Sequence, residues 1–207
     1  MCASCEAGGF HKESLPDHSV LLQGTWHITE RRKYLSDGVV QFYVKKESFP
    51  NKQAYRYTNQ LIKEIDSITG IKIRRVKNKD KSDITVEAYE TYENHPTMSR
   101  FHPGYAGLAY VSFGTSHATF LDKYLTLEPK INKKGKPFKK RKQLTDLAKR
   151  LITHEVLHTL GLSHPNDDGY DENFTNADTT MSYRYRSAWS GMTALDMAAL
   201  QELYGFG

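Results

Sequence analysis

The sequence predicts an α+β domain whose last third forms a separate lower lobe. Three observations lead there. Short strand-like runs cluster between residues 39 and 129 with one helix among them, a long helical pattern spans 144–161, and a polar aperiodic stretch then leads to a final capped helix. At 207 residues the chain suits one domain with a real core, and its 38% hydrophobic content is ordinary for a globular protein.

Residues 1–20 are polar and aperiodic and read as a tail or pro-segment, leaving 21–207 as the folded domain (upper lobe 21–161, lower lobe 162–207). VVQFYVKK from Val39 reads as a strand. AYRYTNQLIKEIDSI from Ala54 places Leu61, Ile62, Ile65 and Ile68 at helical spacing, and Gly70 stops that helix. IKIRRV, SDITVEAYE, LAYVSF (from Leu108 to Phe113) and YLTLEP read as further strands. LTDLAKRLITHEVLHTLG is the long helix, ending at Gly161, with Leu144, Leu147, Leu151 and Ile152 expected on its buried stripe. In TALDMAALQELYG, Thr193 and Asp196 form a capping-box pattern and Gly205 marks the helix end.

The net charge of +5 is unevenly placed. The stretch from Lys130 to Lys142, KINKKGKPFKKRK, holds eight basic residues and no acid, and the remainder is mildly acidic. That pattern excludes a broadly basic nucleic-acid-binding surface and leaves one local basic loop. The loop is either a solvated insertion or a contact for a polyanion. No apolar run is long enough to span a membrane, and no Sec-type signal peptide is visible. The two cysteines, Cys2 and Cys5, lie in the tail, so no disulfide staples the core.

The chemistry concentrates in HEVLHTLGLSH, residues 154–164. His154 and His158, four apart on a helix, stand one above the other about 6 Å apart along the axis, which suits clasping one metal ion. A left-handed turn at Gly161 lets the chain double back so that His164 closes the set. Three imidazoles with an open fourth position suit zinc (Zn2+). Glu155, near the same face, is placed to take a proton from a metal-activated water. The bland alternative is histidines clustered by chance in the core or on the surface.

HEVLHTLGLSH matches HExxHxxGxxH and so resembles the signature of the metzincin zinc peptidases. Pro165, the MSY triplet and LDMAALQELYG narrow the likeness to the serralysin group. The resemblance runs strongly from Leu151 to Gly205 and more weakly upstream. It implies one catalytic Zn2+ held by His154, His158 and His164, with Glu155 as general base. It further implies Met181 in an apolar turn beneath the metal. Tyr183 would be a ligand that swings away to bind the reaction intermediate; packing beneath the helix is the alternative for that ring.

The implied activity is zinc-dependent endopeptidase. LAYVSF would be an edge strand pairing antiparallel with an extended peptide. Arg184 and Arg186, after Met181, are candidates for a pocket favouring acidic or polar groups. Departures from the serralysin pattern are the lack of GGxGxD calcium-binding repeats, the basic loop and the N-terminal cysteines. Cys2 or Cys5 could ligate zinc and hold the enzyme latent, but a spare disulfide or free thiol pair reads equally well. The resemblance implies a secreted monomer, exported by a route other than Sec. A narrow-specificity toxin-like peptidase delivered to a host cell is the alternative within enzymes, and a non-catalytic zinc-stabilised binding module the alternative outside them.

Overall fold

The computed structural model describes residues 17–22, 38–91, 93, 105–111, 116–165, 169–184 and 191–207. Cys2, Cys5, Arg186 and the last two residues of LAYVSF lie outside them.

Strand β1 (Val39–Val44) leads through helix α1 (Lys52–Ile68) to β2 (Lys72–Arg75), which pairs parallel with β1. Asn51 starts α1 by accepting the Ala54 N–H at 2.8 Å. Leu61, Ile62 and Ile65 are buried, as their spacing predicts. Each contributes about 1.5–3 kcal/mol by leaving water. β3 (Ile84–Tyr89) pairs parallel with β1 on its other side and with β5 (Ser116–Leu121). β4 (Gly107–Val111) closes the sheet as its antiparallel terminal strand, giving the order β2-β1-β3-β5-β4.

β5 has no counterpart among the strands expected from sequence. Four of its last five residues are buried, so SHATFL shows no alternation of polar and apolar side chains to betray it. The basic stretch also corrects an expectation. It is not a loop but a two-stranded hairpin, β6 (Leu127–Ile131) with β7 (Pro137–Leu144), separate from the main sheet. Asn132 builds its turn by accepting the N–H groups of Lys134 and Lys136 at 2.8 and 3.1 Å.

Helix α2 (Asp146–Thr159) lies across β4 and β5, beside α1, and Tyr57 on α1 meets Thr153 on α2 at 2.9 Å. Thr145 caps it by accepting from Ala148 N–H. Helix α3 (Ala194–Tyr204) carries the full capping box expected of Thr193 and Asp196, and Gly205 ends it. Tyr204 reaches back to donate to the Leu160 carbonyl at 2.6 Å, tying α3 to the end of α2. The chain enters the fold slightly before residue 21. His18–Leu22 form a short 3-10 helix whose Val20 and Leu21 are buried, and Leu21 accepts from Ser163 N–H at 2.9 Å. Among the described residues, no helix is long and apolar enough to cross a membrane.

Candidate metal centre

The expected buried stripe of α2 holds only in part. Leu144 and Ile152 are buried, but Leu147 is 63% exposed. The face carrying Leu147, Leu151 and His154 looks into a cleft rather than the core, since no element of the described residues covers the first turn of α2 on that side. The cleft, about 570 Å³, runs between α2, the start of β4 and the segment around Tyr170 and Tyr183.

His154 lines this cleft, and His158 and His164 converge on it, the first two buried and the third partly exposed. Gly161 makes the convergence possible. It adopts φ +98°, a left-handed turn that side chains rarely tolerate, and the chain reverses immediately after α2. The reversal also brings the Leu162 carbonyl back onto the helix, where it meets His158 Nδ1 at 2.7 Å. His154 Nδ1 meets the Thr180 carbonyl at 3.0 Å.

A carbonyl only accepts, so both Nδ1 atoms carry the proton and both Nε2 atoms present bare lone pairs. Burial holds His154 neutral, with its pKa pushed down to about 3, and holds His158 well below its ordinary value too. Yet His154 Nε2 and His158 Nε2 lie 3.2 Å apart, and each is 3.0 Å from His164 Nε2. The two bare nitrogens of His154 and His158 repel at this distance unless a cation or a donated proton sits between them. Three nitrogens around a tetrahedral zinc at 2.0–2.1 Å would be about 3.3 Å apart, close to the triangle found here. The three side chains are therefore close enough to bind one metal ion, and their chemistry fits it.

Glu155 is buried beside them, and desolvation raises its pKa to about 8, against the hydrogen bond it accepts from Ala109 N–H on β4. β4 can come this close because residue 107 is glycine. A Cβ there would stand 2.9 Å from both Glu155 Cγ and Leu151 Cδ1. Leu121 N–H donates to the Ala106 carbonyl, so the antiparallel ladder turns the backbone groups of Ala106 and Leu108 toward β5 and those of Gly107 and Ala109 outward.

Tyr183 stacks against the ligand rings, its centroid 4.6 Å from that of His164 and 5.5 Å from that of His154. Burial, with Glu155 nearby, keeps its phenol protonated well above the usual range. Met181 is fully buried in the turn beneath, one residue after the carbonyl that orients His154.

Arg184 does not line the cleft. It is exposed, and its guanidinium donates to the Asp171 carbonyl at 3.2 Å. The arginine that does line it is Arg150, one turn before His154 on α2. Sequence reading passed over Arg150 because nothing marked the first turns of α2 as cleft-facing. It also read Asp196 only as a cap. In the fold its buried carboxylate accepts from Thr179 Oγ1 at 2.5 Å, Thr180 N–H at 3.1 Å and Thr193 N–H at 3.0 Å, fixing the turn that holds His154.

Comparison with known proteins adds no family to this picture: no family model matches the chain, and no curated protein matches it.

Proposed function

We propose that the protein is a zinc-dependent endopeptidase of metzincin type, with His154, His158 and His164 as the metal ligands and Glu155 as general base. The observation that carries this reading is the close triangle of three imidazole Nε2 atoms, two of them bare, with a buried carboxylate beside it at an open cleft that His154 and Glu155 line. A structural metal site has no use for a neighbouring base. That separates this reading from a zinc-stabilised binding module.

A zinc ion held there by His154, His158 and His164 would supply Lewis acidity. Glu155 would take a proton from the attacking water and pass it to the departing amine as the carbon–nitrogen bond breaks. Tyr183, protonated and against the ligand rings, donates to the oxyanion that develops on the carbonyl. The outward carbonyls of Gly107 and Ala109 on the terminal strand face away from β5 and suit pairing with an extended substrate, while Ala109 N–H is held by Glu155.

The β6–β7 hairpin supports one addition, contact with a polyanion. None of the ion pairs among the described residues involves its eight cations, and all eight are exposed on a ribbon separate from the main sheet.

The test of the peptidase reading is a peptide-library digest with the zinc-loaded parent, the parent plus chelator, and Glu155→Ala. Cleavage by the first alone is expected. An intact library in all three sinks the proposal, whereas cleavage that survives Glu155→Ala removes Glu155 from its role.

A further inference from the structure

Arg150 stands out among the residues that the peptidase reading leaves without a task. Its position on α2, one turn before His154, places it in the wall of the cleft beside Leu151, Tyr105 and Tyr170. One arm of its guanidinium, Nη2, donates to the Ser182 carbonyl, which fixes the group in place. A guanidinium has five N–H donors, so most remain for another partner.

No carboxylate answers it. Among the described residues no ion pair includes Arg150. Glu155, the one acid lining the cleft, is hydrogen-bonded to Ala109 instead. Partial burial strips water from the guanidinium and lowers its pKa, with the Tyr183 phenol acting in the opposite sense. A fixed, partly desolvated cation with no counter-charge among the described residues suits an anion, and its planar fork matches a carboxylate.

The strand direction says which part of a substrate meets it. β4 begins at Gly107, against Leu151 and Glu155, and runs away from this part of the cleft toward Val111. A peptide antiparallel to β4 enters at the Val111 end and leaves over Leu151 and Arg150. Side chains on the carboxyl side of the scissile bond therefore face the guanidinium. The exposed Leu147 offers apolar surface for the methylene groups of such a side chain.

We propose that Arg150 is the specificity-determining residue of the cleft, selecting peptides with an aspartate or glutamate directly after the bond to be cut. The inference rests on the peptidase reading above.

The experiment is the cleavage map of a peptide library by the zinc-loaded protein, repeated with Arg150→Gln, Arg150→Lys and Arg150→Glu. The parent is expected to favour Asp or Glu over Gln and Asn at that position by roughly ten- to a hundredfold in kcat/KM. Arg150→Gln should erase that ratio, Arg150→Lys keep part of it, and Arg150→Glu turn the preference toward Lys and Arg. If Arg150 serves only to hold Ser182, its loss slows all peptides alike and leaves the ratio unchanged, which overturns the proposal. A parent that cleaves without acidic preference also overturns it, with no variant needed, and leaves the peptidase reading standing. A parent that cleaves nothing brings down both.

Discussion

His154 points its Nδ1–H at the carbonyl of Thr180, 3.0 Å away, and through that bond the turn before Met181 sets the orientation of an imidazole carried by α2. The same Thr180 offers its N–H to the buried Asp196 at 3.1 Å, so a carboxylate at the start of α3 steadies the ring from two bonds away.

Asp196→Ala removes three hydrogen bonds to the turn and the helix cap. We expect a loss on the order of 3 kcal/mol in unfolding free energy, because Thr180 N–H and Thr193 N–H are left without this partner. Metal affinity should weaken by about ten- to a hundredfold, as outer partners of metal-binding histidines usually show. Denaturant unfolding with and without zinc separates the two effects. Unaltered zinc affinity in a destabilised variant would deny Asp196 any part in orienting His154.

Glu155→Gln keeps the size of the side chain and removes its basicity. Zinc content should stay at the parent's level while peptide cleavage falls by about two to four orders of magnitude. Tyr183→Phe should cost less, on the order of tenfold to a hundredfold in kcat with KM little changed, if the phenol acts on the oxyanion alone. A drop in zinc affinity in that variant would instead mark Tyr183 as a ligand.

The pH dependence of the metal-free protein follows from the same carboxyl. Its folded pKa of about 8 lies above the ordinary 4.5, so its contribution to stability is present in full below about pH 4.5 and is lost as pH rises through about 8. His154 and His158 act in the opposite sense. Their depressed values favour the fold above pH 6.5, a contribution lost as acid protonates them, and Glu155→Gln leaves both in place. The stability of Glu155→Gln relative to the parent, both with chelator, should therefore rise from pH 5 to pH 9 by on the order of 4 kcal/mol. A difference that does not change with pH would show that Glu155 ionises without penalty.

Gly107→Ala puts a methyl group into the contact between β4 and α2, 2.9 Å from Glu155 Cγ and 3.0 Å from its Oε1. Overpacking of this kind costs about 1–3 kcal/mol, and here it also displaces the proposed base. We expect cleavage to fall by about ten- to a hundredfold with full zinc content. Activity and metal content equal to the parent's would mean that Glu155 tolerates displacement.

The metal set was legible in the sequence because it is local. A helix fixes the relation of His154 to His158, Gly161 supplies the reversal, and His164 needs only three further residues to arrive. The capping box of α3 was legible for the same reason. What depended on distant partners was not. Among the described residues nothing packs over Leu147, which leaves it exposed and Arg150 facing the cleft, and no pattern within α2 records either. Asp196 reads as a cap because Thr193 is three residues away, while Thr179 and Thr180 are not. The hairpin β6–β7 was hidden by its lysines, whose charge resembles that of a solvated loop and whose faces lack an apolar stripe. Nor could the sequence show that the exposed Arg184 donates to the Asp171 carbonyl, thirteen residues earlier.

Elemental analysis of the purified protein, beside His158→Ala, bears most directly on the claim that three imidazole nitrogens face one another because a cation belongs between them. One zinc per chain in the parent and a small fraction of that in His158→Ala is the predicted result. A folded parent that holds no transition metal, even after dialysis against zinc at a moderate excess, would contradict it.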